Sequence, residues 1–221
     1  MLDLAIRDLE VRFPGLDQPV LAISELALPA GSQVALTGPS GSGKTTFINV
    51  VTGLEPATSG HVAWRGTDLE ALSESRRDRW RAANVGLVMQ DFHLFPGLSA
   101  IDNVLLPQRL ARLRRLPALT EEARRLLTRV GILRHGQPVE TMSRGQMQRV
   151  AVARALVARP GVIVADEPTA SLDAESGTAV ADLLIELVSE AGATLIVASH
   201  DPRFVGRLGR VLRLDGGRLL H

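Results

Sequence analysis

A glycine-rich segment that follows a short apolar stretch constrains this chain more than any other feature. Residues 38–45 read Gly-Pro-Ser-Gly-Ser-Gly-Lys-Thr and fit the pattern G-x-x-x-x-G-K-[ST], directly after the apolar run 34–36. Glycines let backbone N–H groups converge on phosphate oxygens, and a helix beginning near Lys44 would direct its positive end at the same anion. We predict a strand, a phosphate-binding loop and a helix, with Lys44 near the β- and γ-phosphates and Thr45 offering a hydroxyl to Mg²⁺.

Lysine usage singles out the same loop. Of the 25 basic residues only Lys44 is a lysine, and all the others are arginines. A GC-rich genome would produce this skew without functional meaning, but it does not explain why a lysine stands at this one place. A compact ammonium fits phosphate oxygens where a broad guanidinium would not, so we expect arginine to be a poor substitute at this position.

The composition excludes several classes of protein. The 221-residue chain has no cysteine, which excludes disulfide frameworks, zinc knuckles, iron–sulfur ligation and thiol catalysis. A formal net charge of +1 gives no electrostatic footprint for general nucleic-acid binding, so we expect no nucleic-acid partner. No apolar run approaches the roughly 18 residues of a membrane-spanning helix, and Met1 to Glu10 is no signal peptide. We therefore expect a soluble, cytoplasmic protein that meets a membrane only through a partner.

The distribution of apolar residues predicts an α/β fold. Four short apolar runs predict buried parallel strands, namely residues 34–36, 85–88, 162–165 and 195–198. Between the last two runs, residues 177–189 carry apolar side chains at helical spacing, which completes a strand–helix–strand unit. The ends differ: Leu9, Val11 and Phe13 alternate with polar neighbours, and residues 215–217 predict a hairpin.

The middle of the chain, about residues 101 to 158, lacks strand signals and is rich in helix formers. Thr120 can cap a helix that begins with two acidic residues, and Ser143 with Gln146 has the spacing of a capping box. We predict a P-loop NTPase fold with a parallel-sheet core, an antiparallel β margin and an inserted helical subdomain. In this single domain spanning 1–221, the nucleotide-binding core covers about 1–90 and 159–221 and the helical subdomain about 91–158.

Two adjacent carboxylates form a second predicted component of the site. Asp166 and Glu167 follow the run 162–165, so Asp166 would lie at the C-terminal edge of the sheet, where the Mg²⁺ of a nucleotide would sit. Glu167 can accept a proton from an attacking water. An Asp-Glu pair after a strand is as often an ordinary solvated turn, and the phosphate-binding loop is what favours function here.

The segment 142–150, Met-Ser-Arg-Gly-Gln-Met-Gln-Arg-Val, distinguishes among the enzymes that use such a loop. It resembles the signature of ATP-binding-cassette (ABC) ATPases, usually Leu-Ser-Gly-Gly-Gln, and the other motifs follow in that family's order over essentially the whole chain. The chain therefore resembles the nucleotide-binding subunit of an ABC transporter. Residues 85–96, 102–107 and 165–169 resemble the branch serving lipoprotein release, macrolide export and cell division.

The resemblance implies roles for residues outside the loop. Gln90 matches the glutamine that contacts Mg²⁺ and couples to the membrane subunit, and His200 matches the switch histidine at the γ-phosphate. Asp173 matches the D-loop aspartate, and Phe13 falls where an aromatic ring stacks on adenine. The implied catalytic residues are Glu167, His200, Gln90 and Lys44. The implied metal ligands are Thr45, Gln90 and Asp166. The implied nucleotide contacts are Phe13, Gly38, Pro39, Ser40, Gly41, Ser42, Gly43, Lys44, Thr45, Thr46, Ser143, Gly145, Gln146 and Asp173.

The resemblance also implies an assembly. Two copies would face head to tail as a homodimer with two ATP molecules between them, each ATP meeting the phosphate loop of one copy and residues 143–146 of the other. An integral membrane permease would be the further partner, holding the chain at the inner face of the plasma membrane, with a coupling helix received between residues 90 and 107. ATP hydrolysis would then drive export, lipoprotein release or mechanotransmission.

Other functions remain alternatives at this point. A regulatory cassette that signals through a membrane protein without moving a substrate would carry the same motifs. A soluble P-loop kinase would also use Lys44, but it gives no role to residues 143–146. A cassette of translation or DNA repair usually has two cassettes or a long coiled-coil insertion, and neither fits this chain.

Arg144 departs from the family's pattern. It replaces the first glycine of the signature pair, while Met142 replaces leucine and conserves apolar volume. The Arg144 side chain is expected either to point away into solvent or to add a cation near the γ-phosphate bound by the partner copy. The sequence leaves both interpretations open.

Overall fold

Two β-sheets and seven α-helices make up the part of the chain that the computed structural model describes, residues 2–111 and 116–220. The strands are β1 (Leu4–Val11), β2 (Leu21–Leu28), β3 (Gln33–Thr37), β4 (Ser59–Trp64), β5 (Thr67–Asp68), β6 (Val85–Val88), β7 (Val162–Asp166), β8 (Thr194–Ala198), β9 (Arg210–Asp215) and β10 (Arg218–Leu220). The helices are α1 (Lys44–Val51), α2 (Glu74–Asn84), α3 (Ala100–Leu110), α4 (Leu116–Arg129), α5 (Arg144–Leu156), α6 (Ala174–Ala191) and α7 (Pro202–Val205), with a short 3-10 helix at Val139–Thr141.

The larger sheet has the strand order β10-β9-β3-β8-β7-β6, and its strands are parallel except for the antiparallel pair β9–β10. All four predicted parallel strands lie in it, so that prediction is confirmed. The sheet is buried on both faces, which explains the unbroken apolar runs. Along β7, Ile163 and Ala165 belong to the core cluster that contains the helices α3 to α6, and Val162 and Val164 belong to the cluster on the opposite face.

The smaller sheet, with the order β2-β1-β4-β5, is antiparallel throughout. Its strands bury alternate residues against the core, as the alternation of Leu9 and Val11 predicts. The pairing of β1 with β4 shifts register between Arg7 and Glu10, and Asp8 adopts a φ of 47° within that irregularity. The predicted hairpin near the C-terminal end is also confirmed, since β9 and β10 pair on the edge of the larger sheet.

The middle of the chain is helical, as predicted. Helices α3, α4 and α5 pack on one another through buried apolar residues such as Val104, Leu127 and Val150. The predicted start of α4 at Thr120 is wrong: Leu116 is already helical, so Thr120 lies inside the helix and not at its N-cap. Within the described ranges, no helix is long and apolar enough to cross a membrane.

The parallel strands bring four loops to one edge of the larger sheet. In the register of the sheet, Leu36 of β3 and Asp166 of β7 both pair with Ala198 of β8. The segments that follow β3, β6, β7 and β8 therefore emerge side by side at the carboxyl ends of their strands, the edge where open α/β sheets bind ligands.

Candidate functional site

A cavity of about 460 Å³ opens at this edge of the larger sheet. The loop 38–43 and the start of α1 form much of its wall, together with the segments that follow β6, β7 and β8. Its lining residues are Val20, Gly38, Ser40, Gly41, Gly43, Lys44, Thr45, Thr46, Gln90, Asp166, Glu167 and His200. Every lining residue except Val20 is one that the sequence analysis assigned to the site, so four distant stretches of sequence meet in one place.

The backbone of the loop 38–43 depends on glycine. Gly38 has a φ of +155°, and a Cβ added there would lie 2.1 Å from the Leu214 carbonyl oxygen. Gly43 has a φ of +100°, and its Cβ would lie 2.8 Å from the Val20 carbonyl oxygen. Side chains at either position would push the loop away from the strands that support it. The glycines therefore serve the packing of the loop as well as access to its backbone N–H groups.

Lys44 begins α1 and folds back across the loop. Its Nζ donates hydrogen bonds to the carbonyl oxygens of Gly38 at 2.7 Å and Pro39 at 3.0 Å. No side chain caps the helix at its N-cap residue, Gly43, so the N–H groups of the first turn point toward the cavity without a side-chain acceptor there. This end of α1 combines backbone donors, the positive end of the helix dipole and one ammonium, which suits polyphosphate.

Asp166 ends β7 at the floor of the cavity. Burial raises its pKa, and the neighbouring Glu167 charge raises it further, whereas Lys44 and a hydrogen bond with Thr45 lower it. The net rise in pKa means that the Asp166 carboxylate lacks full compensation for its negative charge within the chain. A bound cation would supply that compensation.

The donor set at the cavity fits Mg²⁺. The Thr45 hydroxyl, the Gln90 amide and the Asp166 carboxylate line the same cavity and offer the oxygen ligands that this ion prefers. In residues 2–111 and 116–220 no group of three or more His, Cys, Asp or Glu side chains could hold a metal ion. Mg²⁺ is usually held by one or two carboxylates together with substrate phosphates.

Glu167 is held by two hydrogen bonds from the segment after β8. Its Oε2 accepts from the Ser199 hydroxyl at 2.8 Å, and its Oε1 lies 3.1 Å from Nδ1 of His200. Ser199 is fully buried, whereas the His200 side chain is 85% exposed. The carboxylate is thus fixed at one end by a buried group and paired at the other with a ring that faces the opening. Glu167 also has a φ of 42°, and its N–H donates to the Ala198 carbonyl oxygen at 2.8 Å.

The sequence analysis missed Ser199 and the ion pair beyond it. Asp201 accepts hydrogen bonds from the Thr169 hydroxyl at 2.6 Å and from Nε of Arg203. Arg203 in turn donates to the Ala174 carbonyl oxygen at the start of α6. Hydrogen bonding to Arg203 is the main reason that the pKa of Asp201 falls to about 2. The available sequence signals were the Asp-Pro start of α7 and an arginine two residues after Asp201. The contacts with residues 167, 169 and 174 join separate segments and have no local pattern.

Three residues in or near the loop 38–43 and β1 that were predicted to contact nucleotide do not line the cavity. Phe13 follows the end of β1 and is 42% exposed. Pro39 contributes its carbonyl to Lys44, as described above. Ser42 is a buried residue of the loop itself, and its hydroxyl has no hydrogen-bond partner in the described parts of the chain.

The signature and D-loop residues also lie outside this cavity. Ser143 and Gln146 form the predicted capping box at the start of α5, with the Ser143 hydroxyl accepting from the Gln146 N–H at 3.2 Å. Gly145 packs closely against α6, since a Cβ there would lie 3.1 Å from the Ser176 hydroxyl. Asp173 caps α6 by accepting from the Ser176 N–H at 2.9 Å. The structure thus brings these residues near one another but not into the phosphate-loop cavity.

Arg144 is exposed, as one interpretation expects, but its side chain is not free. Its Nε donates to the Ser171 carbonyl oxygen at 3.0 Å, and its guanidinium lies 5.1 Å from the centroid of the Phe92 ring. Both partners belong to the same copy of the chain.

Comparisons with known proteins agree with this site. The ABC transporter family model matches residues 21–170. A lipoprotein-releasing system ATP-binding protein, LolD, of Anaeromyxobacter dehalogenans is 40% identical over 91% of this chain and 85% of its own length. The LolD of Pseudomonas fluorescens is 38% identical over 98% of this chain and 96% of its own length.

A solved structure gives the same result for the fold. The ATP-binding cassette MJ0796, in a dimeric post-hydrolysis state bound to ADP and Pi, superposes with a TM-score of 0.88 at 29% identity. The match covers 99% of this chain and 97% of that one. With the predicted α/β architecture, the phosphate-binding loop and the family match in agreement, the chain belongs to the ABC transporter family, as an ATP-binding subunit that hydrolyses ATP.

Proposed function

We propose that two copies of this chain form a head-to-tail homodimer that hydrolyses two ATP molecules and drives an integral membrane permease of the lipoprotein-releasing kind. One observation carries the proposal. The phosphate loop, Gln90, Glu167 and His200 line one cavity, whereas the signature segment 143–146 lies outside it at an exposed helix start. A second copy can bring that segment to the nucleotide, which a single copy holds from one side only.

The start of α5 suits contact with a phosphate from another copy. Ser143 is exposed, and the capping box holds this first turn in a fixed geometry. The positive end of the α5 dipole would face the γ-phosphate bound on the partner. The dimeric state of the MJ0796 cassette with ADP and Pi supports this arrangement.

Glu167 is the group that would activate the attacking water. The hydrogen bond from Ser199 and the contact with His200 orient its carboxylate at the mouth of the cavity, where it can accept a proton. Lys44 would neutralise charge on the β- and γ-phosphates, and His200 would contact the γ-phosphate. Thr45, Gln90 and Asp166 would hold Mg²⁺, which when bound neutralises phosphate charge.

ATP would favour the closed dimer because its γ-phosphate is contacted from both copies. ADP lacks that group, so ADP has a smaller differential affinity for the closed state and the dimer reopens after hydrolysis. The helical segment 91–158 and the core of residues 1–90 and 159–221 would be the two parts of this single domain. Ser143 and Asp173, the N-cap residues of α5 and α6, lie where these parts meet, since Gly145 packs against Ser176.

A groove of about 350 Å³ beside the Gln90 segment is the place where the permease would dock. Helices α2, α3 and α5 and strand β6 surround it. Its lining combines apolar, charged and other polar residues, namely Asp78, Arg81, Ala82, Val85, Gly86, Leu87, Met89, His93, Pro107, Gln108, Arg154, Ala155 and Ala158. Met89 lines this groove and the next residue, Gln90, lines the ATP cavity. This short segment would therefore couple the docked permease to the nucleotide.

This docking would hold the chain at the inner face of the plasma membrane. The relatives named for lipoprotein release favour a transport function over a purely regulatory one, since 38% to 40% identity extends over nearly the whole chain. The substrate would be set by the permease.

The Glu167→Gln variant tests the dimer. It keeps the size of the side chain but removes the base, so we expect it to accumulate a stable dimer in ATP while turnover falls about a hundredfold or more. Size-exclusion chromatography with light scattering measures the mass with ATP, with ADP and without nucleotide. The proposal requires that the measured mass be twice that of one chain with ATP, and that of one chain with ADP or without nucleotide. A Glu167→Gln variant that binds ATP and stays monomeric would refute it.

A further inference from the structure

We propose that Arg144 is a positioning residue that fastens the signature segment to two other segments around the nucleotide, so that all three move as one unit. The two other segments are the loop 170–173 before α6 and the loop 90–93 after β6. This inference rests on the proposed function, because it concerns how the signature segment is presented to the partner's nucleotide.

The contact with the first segment is a directed hydrogen bond. Nε of Arg144 donates to the Ser171 carbonyl oxygen at 3.0 Å. Ser171 precedes Asp173, the N-cap of α6, by two residues. The guanidinium therefore ties the start of α5 to the segment leading into α6, 27 residues further along the chain. A carbonyl accepting from a charged donor makes a stronger bond than one between neutral groups.

The contact with the second segment is a stacked ring. The Arg144 guanidinium lies 5.1 Å from the centroid of Phe92, within the range of a cation–π interaction. Phe92 is only 6% exposed and follows Gln90 by two residues. Its φ of 59° is an unusual value for a residue with a side chain. The Phe92 carbonyl accepts from Arg154 at 2.6 Å, so a second arginine holds its backbone. Two arginines thus fix one residue of the loop beside Gln90.

These contacts require the guanidinium and not simply a positive charge. Its planar group can stack on a ring and donate from Nε at the same time, whereas a lysine ammonium is a compact point charge that cannot do both. A glycine, the residue usual in the family at this position, would make neither contact. The alternative role, an added cation near the partner's γ-phosphate, needs only the charge and would be kept by lysine. The two roles therefore make opposite predictions for Arg144→Lys.

The first experiment compares Arg144→Lys and Arg144→Gln with the unaltered chain. The positioning role predicts that both variants lower kcat for ATP hydrolysis about fivefold to tenfold, the effect of losing one charge-assisted hydrogen bond and one cation–π contact. Binding of a fluorescent ATP analogue to the purified chain should stay within about twofold, because Arg144 lies outside the ATP cavity. Arg124→Lys is the matched control. Arg124 is an exposed arginine whose ion pair with Glu121 is 3.8 Å long, so this variant should match the unaltered chain.

Two results would overturn the inference. Normal turnover in Arg144→Lys would show that charge alone suffices, and a large loss of ATP-analogue binding in both variants would place Arg144 in nucleotide binding itself.

A double-mutant cycle with Phe92→Leu tests the stacked contact. Leucine keeps the position apolar but removes the ring face. The effects of Phe92→Leu and Arg144→Gln on kcat should therefore be clearly less than additive in the double variant. Additive effects on kcat would contradict the link. If Phe92→Leu fails to fold, the comparison of Arg144→Lys with Arg144→Gln still decides. A failure of the dimer proposal would be seen separately, as a monomeric Glu167→Gln chain in ATP.

Discussion

At the scale of single residues, Lys44 is the clearest case in which a side chain is chosen for its shape. Its Nζ reaches two carbonyl oxygens of its own loop, at 2.7 and 3.0 Å, while the loop is held against the strands by close contacts at Gly38 and Gly43. A guanidinium carries its charge on a broader plane and could not occupy the same space between the carbonyls. This explains why one lysine stands among arginines.

The Lys44→Arg variant should therefore lose activity although it keeps the charge. We expect ATP turnover to fall about a hundredfold, a loss comparable to the removal of one well-placed transition-state donor. Steady-state ATPase assays measure it, with circular dichroism to verify folding. The Arg124→Lys variant provides the reverse exchange at an exposed position, where no change is expected. ATPase activity equal to that of the unaltered chain would mean that the lysine is an accident of composition.

Sequence predicted those residues of the site that belong to contiguous motifs. Each of Lys44, Asp166 and His200 stands in a recognisable pattern, and all three line the cavity. Ser199 could not be predicted in the same way, because its hydrogen bond to Glu167 joins the ends of two strands that are 32 residues apart in the chain. Which neighbouring residue supports a motif residue depends on the register of the sheet.

At the scale of elements, local signals predicted the parallel strands well and the helix ends unevenly. The buried strands read as continuous apolar runs, and the capping box at Ser143 marks the start of α5 as predicted. Thr120 was predicted to cap α4 and lies inside it, since a threonine before acidic residues fits the interior of a helix as well as its beginning. The ion pair of Asp201 with Arg203 was not predicted, although the two residues are only two positions apart. Arg203 also donates to the Ala174 carbonyl oxygen, which links the segment after β8 to the start of α6.

That ion pair predicts a pH-dependent contribution to stability. The folded-state pKa of Asp201 is about 2, below its ordinary value of 3.8, so folding favours the charged form. The stabilisation is therefore complete well above pH 3.8 and is lost as the pH falls toward about 2. Arg203→Gln should lower the free energy of unfolding by about 1–3 kcal/mol near neutral pH, and the difference should shrink in acid.

Urea unfolding at a series of pH values measures this difference. Arg207→Gln is the matched control, because Arg207 pairs with Asp182 on the exposed surface nearby, where ion pairs contribute about 0–1 kcal/mol. A deficit in Arg203→Gln that stays constant from neutral pH to pH 3 and below would contradict the account of this pair.

At the scale of the whole molecule, the main feature is the separation of two halves of a site. The phosphate loop and Glu167 share one cavity, and Ser143 lies on a different part of the surface of the same copy. The family resemblance implied that residues 143–146 serve the nucleotide of another copy, and in the fold they lie outside the phosphate-loop cavity of their own copy. We propose that a second copy of the chain completes the ATP site.

Directed cross-linking tests this claim most directly, because the chain has no cysteine and any thiol is one that has been introduced. Ser40→Cys marks the exposed edge of the phosphate loop and Ser143→Cys marks the signature segment, each placed in the Glu167→Gln chain. The two variants are mixed and treated with a short bis-maleimide. The account predicts a cross-linked dimer in the mixture with ATP, little with ADP, and little in either variant alone. A yield of cross-linked dimer that is the same with ATP and ADP, or as high in a single variant as in the mixture, would contradict the head-to-tail arrangement.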